Sequence, residues 1–277
     1  MDVFAAFIAP ALAGVFVGVM SGLLGVGGGT IMVPIFRLAF GMSPLASTAT
    51  SLFAIIPTSI SGVVAHTRAK TCVPKLGLAL GVGGAVMSPM GVWLASVSPG
   101  WLVICVAAIV IGFSAFKMFK KAVKCAPAPR AGRAGGSSQD ASAKAVPDQP
   151  VLSRKQYLQG ACIGLIAGLA SGYVGVGGGF IMVPLMLAVL DIPMSLASGT
   201  SLIAIMILAI PGVIEQGLLG NIEYLAGIAI VVGSIPGALV GARLVRVVPE
   251  RQLRFIFGGF LLVAAVMLML NEFGILG

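Results

Sequence analysis

Two stretches decide the fold of this chain: Gly22-Leu-Leu-Gly25-Val-Gly27-Gly28-Gly29-Thr30-Ile-Met-Val-Pro34 and, 150 residues later, Gly172-Tyr-Val-Gly175-Val-Gly177-Gly178-Gly179-Phe180-Ile-Met-Val-Pro184. The same offset, without a gap, relates further residues of the two halves, among them Gly18 and Gly168, Ser21 and Ser171, and Thr50-Ser51-Leu52 and Thr200-Ser201-Leu202. One register kept over such a length is typical of an internal repeat. The sequence therefore consists of two copies of one unit.

The composition predicts that lipid is the solvent for most of this chain. The 277 residues are 58% hydrophobic and only 9% charged, with a mean hydropathy of +1.11, whereas soluble domains carry roughly 25% charged residues. Apolar stretches of about 20 residues, enough to cross a bilayer, recur at 77–94 and 224–244. We expect an all-α polytopic membrane protein with about 8–10 transmembrane segments.

Each half is predicted to contain five apolar segments, which in the first half lie at about 4–24, 30–41, 44–65, 74–96 and 100–119. The second segment is too short to span, because a helix of about 12 residues reaches some 18 Å and the hydrocarbon core is roughly 30 Å thick. We therefore expect the first two segments to form a broken or re-entrant pair around Gly25 to Gly29. The second half repeats this pair around Gly175 to Gly179.

A central linker separates the two repeats. Residues 121–155 are rich in Ala, Pro, Gly, Ser and charged residues, a composition that buries too little apolar surface to fold. We predict a first transmembrane repeat at 1–120, a flexible basic linker at 121–155 and a second repeat at 156–277. The four cysteines show no CxxC spacing, so we expect neither disulfides nor a metal site.

Basic residues indicate the orientation of the two repeats, because Lys and Arg in short loops favour the cytoplasm. In the first half they follow the third segment, as Arg68, Lys70 and Lys75, and in the second half they follow the fourth, as Arg243, Arg246, Arg251 and Arg254. Similar units with opposite charge placement are predicted to be inverted repeats. The linker is then cytoplasmic and the chain lies in the inner membrane. The net charge of +9 is explained by these positions, so we expect no nucleic-acid partner.

The two glycine-rich breaks are the predicted substrate site, since matched, Gly-interrupted segments mark the binding site of many secondary transporters. A helix that restarts after three glycines exposes backbone N–H groups and the positive end of its dipole, which favours an anion. Hydroxyls near the start of the third segments supply neutral donors. The predicted substrate-binding residues are Gly25, Gly27, Gly28, Gly29, Thr30, Thr50, Ser51, Gly175, Gly177, Gly178, Gly179, Thr200 and Ser201.

Two alternatives accompany this prediction. The glycines could act only as a structural hinge, and the hydroxyls could bond back to their own helix. Glycines outside the breaks are predicted to let helices pack closely; they are Gly14, Gly18, Gly164 and Gly168.

The single histidine, His66, ends the third segment, and Gln216 occupies the equivalent position of the second half. Histidine titrates near physiological pH, so one hypothesis is that His66 couples transport to protons. The alternative that we favour is an interfacial histidine without a function.

These motifs carry a family resemblance. Paired GxxGxGGG segments, each followed by an apolar helix containing Pro34 or Pro184, and the basic central linker resemble the TauE/SafE family of sulfite and organosulfonate exporters. The resemblance implies export of a small sulfur-containing anion, such as sulfite or an organosulfonate, across the cytoplasmic membrane. The partners would be this anion and the lipid bilayer, with no cofactor, and a homo-oligomer is compatible with the sequence. An anion channel and a non-transporting membrane scaffold are the alternatives; no nucleophile–base constellation lies within a span, so we expect no enzyme.

Overall fold

The computed structural model describes residues 3–124, 153–245 and 247–272. This part of the chain is helical and contains no strand. Its ten helices are α1 (Val3–Leu24), α2 (Gly29–Leu38), α3 (Pro44–Arg68), α4 (Pro74–Val97), α5 (Gly100–Lys124), α6 (Arg154–Val174), α7 (Gly179–Val189), α8 (Met194–Leu218), α9 (Tyr224–Leu244) and α10 (Glu250–Glu272). The predicted all-α fold with five segments in each half is confirmed.

The length and apolar composition of its helices identify the chain as a polytopic membrane protein. Within the described residues, five helices are long and apolar enough to cross a bilayer, namely α3, α4, α6, α8 and α9. Large apolar side chains such as Leu12, Val86 and Trp93 are exposed on the outside, where lipid would cover them. With 10 and 11 residues, α2 and α7 are too short to span, as the sequence predicts.

The two repeats exchange helices. The first helix of each half packs along the fourth helix of the other half, α1 on α9 and α6 on α4. Small residues make this approach close: a Cβ on Gly18 would collide with the carbonyl oxygen of Ser234, and a Cβ on Gly168 would collide with that of Gly84. The same holds for the other two predicted packing glycines, Gly14 and Gly164. Their packing role is confirmed.

The contacts also define the directions of the central helices. The third helices of the two halves, α3 and α8, cross antiparallel, because Gly62 lies against Leu202 while Leu52 lies against Gly212. In contrast, α3 runs parallel to α9, and α8 runs parallel to α4. Equivalent helices α3 and α8 therefore run in opposite directions.

Both ends of the predicted linker belong to helices. α5 continues to Lys124 and α6 begins at Arg154, because Ser153 forms a capping box with Gln156. The flexible linker prediction concerns mainly residues 125–152, which lie outside the described residues. Among the described cysteines all three are free thiols, and burial raises the pKa of the Cys72 thiol in the α3–α4 loop. A buried neutral thiol of this kind is unreactive.

Candidate anion-binding site at the paired helix breaks

The glycines of both breaks adopt a backbone conformation that side chains rarely tolerate. The φ angles of Gly25, Gly27 and Gly28 are 72°, 79° and 83°, and those of the equivalent residues in the second half are 72°, 84° and 69°. For residues that carry a side chain, this left-handed region costs about 1–2 kcal/mol per residue. The predicted interruptions of α1–α2 and α6–α7 are therefore present, and they need glycine.

Each break ends in a helix N-terminus that lacks a side-chain cap. The N-cap residues are Gly28 for α2 and Gly178 for α7. In the first break the Gly28 carbonyl accepts the amides of Ile31 and Met32, both at 3.0 Å. Within the described residues, no acceptor pairs with the amides of Gly29 and Thr30. Unpaired donors at the positive end of a helix dipole suit an anion.

The second break uses its amides differently. There the Gly179 amide donates to the Gly177 carbonyl at 2.9 Å, and Ile181 and Met182 donate to the Gly178 carbonyl at 3.1 and 3.0 Å. In the described part of the chain, the amide of Phe180 is left without an acceptor. The two breaks are thus similar in path but not identical in the donors that they leave unpaired.

The two breaks touch each other inside the molecule. A Cβ on Gly29 would lie 2.5 Å from the carbonyl oxygen of Val176, and a Cβ on Gly179 would lie 2.6 Å from that of Gly25. All residues from 21 to 34 and from 171 to 184 are buried. The predicted glycines, 150 residues apart in sequence, therefore meet at one buried place.

Two of the predicted hydroxyls already have partners for their hydrogen. Ser201 donates to the carbonyl of Gly25 at 2.6 Å and also lies 2.8 Å from the carbonyl of Ser198. Thr200 donates to Leu196 at 2.6 Å and accepts the amide of Val73 at 3.0 Å. Ser201 thus holds the first break in place, and Thr200 fixes the start of α4.

The equivalent hydroxyls of the first half are freer. Thr50 accepts a hydrogen bond from the amide of Glu223 at 3.0 Å, which fixes the start of α9, and within the described residues no acceptor pairs with its own hydroxyl hydrogen. Ser51 is fully buried, and within the described residues its hydroxyl has no hydrogen-bond partner. Of the predicted hydroxyls on α3 and α8, those left for a ligand are therefore on α3.

Three further buried hydroxyls also lack a hydrogen-bond partner within the described residues. They belong to Ser21, Ser171 and Thr30, each of which is 1% exposed or less. A Cβ on Gly28 would lie 3.6 Å from the Cβ of Ser21, and one on Gly178 would lie 3.4 Å from that of Ser171. Our sequence prediction includes Thr30 but misses the two serines, although their match in the repeat was a signal.

Unpaired buried hydroxyls are unusual, since a buried polar group without a partner costs about 1–3 kcal/mol. Several of them beside two uncapped helix N-termini indicate a place where a polar ligand supplies the missing acceptors. An anion fits this set, because hydroxyl and amide groups all donate to it.

His66 is fully buried within the protein, while both interpretations of its function, proton coupling and an interfacial histidine without a function, stay predictions. The last turn of α3 packs against the end of α1, and Nε2 lies 2.8 Å from the carbonyl oxygen of Gly22. Because a carbonyl only accepts, Nε2 carries a hydrogen. Nδ1 lies 2.8 Å from Oγ1 of Thr71. The ring therefore ties the α3–α4 loop to the segment just before the first break.

Two cavities lie at the ends of the central helices. One, of about 170 Å³, is lined by hydroxyl residues including Ser43, Thr48 and Ser98, and a Cβ on Gly175 would collide with Thr48. The other, of about 200 Å³, lies between α3 and α9 and is lined by Arg68 and Arg243. Through Thr48, the cavity of about 170 Å³ adjoins the second break. The cavity of about 200 Å³ is lined by basic residues of both halves, at one end of the molecule.

A comparison with known proteins identifies the family of this chain. The family model described as "Sulfite exporter TauE/SafE" matches residues 10–268. This chain belongs to the TauE/SafE family. Both glycine breaks, His66 and the unpaired hydroxyls lie inside the part matched to TauE/SafE.

Curated relatives of this TauE/SafE protein are named as membrane transporters. "Probable membrane transporter protein YunE" of Bacillus subtilis (strain 168) is 26% identical over 248 residues, which cover 87% of this chain and 89% of the relative. YdhB of the same organism is 28% identical, over 86% of this chain and 89% of its own length. MJ0441 of Methanocaldococcus jannaschii is 24% identical over 94% of both chains. The protein is thus a membrane transporter and not an enzyme. No solved structure matches the chain.

Proposed function

We propose that this protein is a secondary transporter that exports a small sulfur-containing anion, sulfite or an organosulfonate, by alternating access. The observation that supports this proposal most is that the two helix breaks meet in the interior. Around them, amides and hydroxyls have no partner within the described residues. The sulfur-containing substrate comes from the description of the family.

Neutral donors suit a transporter for an anion. Amides and hydroxyls such as those of Gly29, Thr30 and Ser51 bind oxygen atoms of an anion without a buried positive charge. A buried cation left unpaired after release would carry a large desolvation cost. With neutral donors, the anion can be bound and released at comparable free energies.

The inverted arrangement of the two repeats is part of this proposal. It is supported by the antiparallel crossing of α3 and α8 and by the exchange of helices between the halves. Arg68 and Arg243, which the charge rule assigns to the cytoplasm, line one cavity at one end. Rocking of one half against the other about the paired breaks would then expose the site alternately on each side of the inner membrane.

The membrane potential alone would favour export. An inside-negative potential contributes about 2.3 kcal/mol per 100 mV to the exit of a monovalent anion. Export driven by the membrane potential requires no hydrolysis of ATP.

The first experiment asks whether an anion binds and is transported. Thermal unfolding of the purified protein is compared in sulfite, sulfate, thiosulfate, short sulfonates and carboxylates, and flux of the stabilising anions is measured in proteoliposomes. We expect stabilisation and flux with sulfite or a sulfonate. A single-channel current would make the protein a channel, and the absence of any stabilising anion would favour a scaffold.

The second experiment tests the breaks. Gly28→Ala would place a Cβ 2.8 Å from Cγ1 of Val17 at a φ of 83°, so we expect the break to deform and transport to fall at least about tenfold, while the about 1–2 kcal/mol of strain leaves a folded protein. Gly178→Ala should act alike. Gly112→Ala in α5, where the nearest atom is 3.9 Å away, is the control. Full transport in both break variants would contradict the proposed site.

A further inference from the structure

Two isoleucines occupy the place where the breaks meet. Ile55 on α3 and Ile205 on α8 are both fully buried and are separated by the repeat offset of 150 residues. A Cβ on Gly29 would lie 2.6 Å from Cδ1 of Ile55, and a Cβ on Gly177 would lie 2.9 Å from the same atom. Ile55 also lies beside Gly27, so it contacts glycines of both breaks.

Ile205 makes the reciprocal contacts. A Cβ on Gly27 would lie 3.0 Å from Cγ2 and 3.2 Å from Cδ1 of Ile205, and a Cβ on Gly179 would lie 2.7 Å from Cδ1. Each isoleucine thus bridges the two breaks, and together their side chains fill the space beside the glycines with hydrocarbon.

Each of the two isoleucines lies close to a serine hydroxyl on its own helix. Ile55 follows Ser51 by four residues, and Ile205 follows Ser201 by four, so each isoleucine lies one helical turn from a serine on the same face. On α3, the Ser51 hydroxyl, which is unpaired within the described residues, therefore lies next to a side chain that excludes an anion. The observed arrangement is closed, because an anion beside the break glycines would overlap the two Cδ1 atoms.

We propose that Ile55 and Ile205 form a hydrophobic plug that closes the paired breaks and sets the size of the anion that the protein accepts. This inference rests on the proposed transport of an anion through that site. An apolar constriction also resists the passage of hydrated ions when no substrate is bound. Because Ile55 is on α3 and Ile205 is on α8, movement of α3 against α8 would separate the two side chains and open the plug.

Shortening the plug should widen the range of accepted anions. Ile55→Ala, Ile205→Ala and the double variant are reconstituted in proteoliposomes, and initial rates are measured for sulfite and for the larger propanesulfonate. We expect the ratio of propanesulfonate to sulfite rates to rise by about tenfold in the double variant, since a single methylene in an apolar pocket discriminates substrates to that extent. Each single variant should show an intermediate rise.

The control is Ile111→Ala on α5, an equally buried isoleucine that packs in a different core cluster from Ile55 and Ile205 and is not among the atoms nearest to the break glycines. It creates a comparable cavity, so it should leave the rate ratio unchanged. If the alanine variants do not fold, Ile55→Val and Ile205→Val carry the test, with a smaller rise in the same direction.

The outcomes separate the two proposals. Sulfite transport with an unchanged rate ratio in the plug variants would overturn the plug alone. A wild-type protein that moves neither anion would overturn the proposed function and the plug with it. A raised ratio in Ile111→Ala as large as that in the plug variants would also overturn the plug, because general loosening of the bundle would then explain it.

Discussion

At the scale of single residues, His66 offers two hydrogen-bonding states without movement of its neighbours. In the neutral ring, Nε2 donates to the Gly22 carbonyl and Nδ1 accepts from the Thr71 hydroxyl. In the protonated ring, Nδ1 donates to Thr71 Oγ1, whose hydrogen can turn to the carbonyl of His66, 3.3 Å away. Both charge states keep their polar groups paired, which is what a proton-coupling residue requires.

The surroundings of His66 contain few other titratable groups. The adjoining segments 14–24 of α1 and 194–203 of α8 carry none, and the 69–73 loop carries the exposed Lys70 and the buried thiol of Cys72. Gln216, the equivalent residue in the second half, accepts a hydrogen bond from Asn221 at 2.8 Å. Glutamine thus satisfies the same position without a proton, and this suggests the substitution that tests coupling.

His66→Gln should fold and transport propanesulfonate, whose charge does not change over the physiological pH range, but an imposed pH gradient should no longer change its rate. His66→Ala leaves the Gly22 carbonyl without its donor and should lose about 1–3 kcal/mol of unfolding free energy. Initial rates in proteoliposomes with and without a pH gradient give the measurement. Gln216→Ala is the matched control and should keep the pH response of the wild type. An unchanged pH response in His66→Gln would remove His66 from the coupling mechanism.

At the scale of elements, the seams between α1 and α9 and between α4 and α6 are close because of small residues. Helix backbones meet there without intervening side chains, and such contacts are a main source of stability where lipid supplies no hydrophobic driving force. Each seam is extended, since Gly14 and Gly22 of α1 both lie against the backbone of α9, and Gly164 and Gly172 of α6 both lie against that of α4.

Gly18→Ala is therefore expected to lower the free energy of unfolding by about 1–3 kcal/mol or more. The added Cβ would lie 2.8 Å from the amide nitrogen of Ala238 and would collide with the Ser234 carbonyl. Thermal unfolding in detergent measures the effect. Gly259→Ala in α10 has its nearest atom 3.9 Å away and should be neutral or gain up to about 1 kcal/mol. Equal melting temperatures for the two variants would contradict the seam.

At the scale of the whole molecule, neither repeat has a complete set of partners of its own. α1 needs α9, α6 needs α4, and α3 needs both α8 and α9. Since the first and fourth helices of each half pack on the other half, we infer that the two repeats fold as one unit.

This interdependence predicts the behaviour of a divided chain. Fragments 1–138 and 139–277, cut inside the predicted linker, should co-purify and transport when they are expressed together, and each should aggregate or be degraded when it is expressed alone. Size-exclusion chromatography and proteoliposome flux measure this. A monodisperse, stable single fragment would show that one repeat folds independently, contrary to the observed exchange of helices.

The sequence by itself determined the helical membrane fold, the repeat, the two interrupted helices and the role of Gly18 and Gly168 in packing. These properties depend on composition, on period and on the conformational cost of glycine, which are local to each segment. The short α2 and α7 followed from their lengths alone.

The tertiary structure decided which groups of the candidate site meet. Ser51 and Ser201 are equivalent in sequence, yet in the part of the chain that the structure describes Ser201 donates to the carbonyl of Gly25 in the other half and Ser51 has no partner. The burial of His66 and the position of Ile55 and Ile205 were likewise not foreseen. The contacts of Ser201, Ile55 and Ile205 depend on how segments about 150 residues apart cross, because the other repeat supplies their partners. The hydrogen bonds of His66 instead join two segments of the first repeat, which only the folded chain brings together.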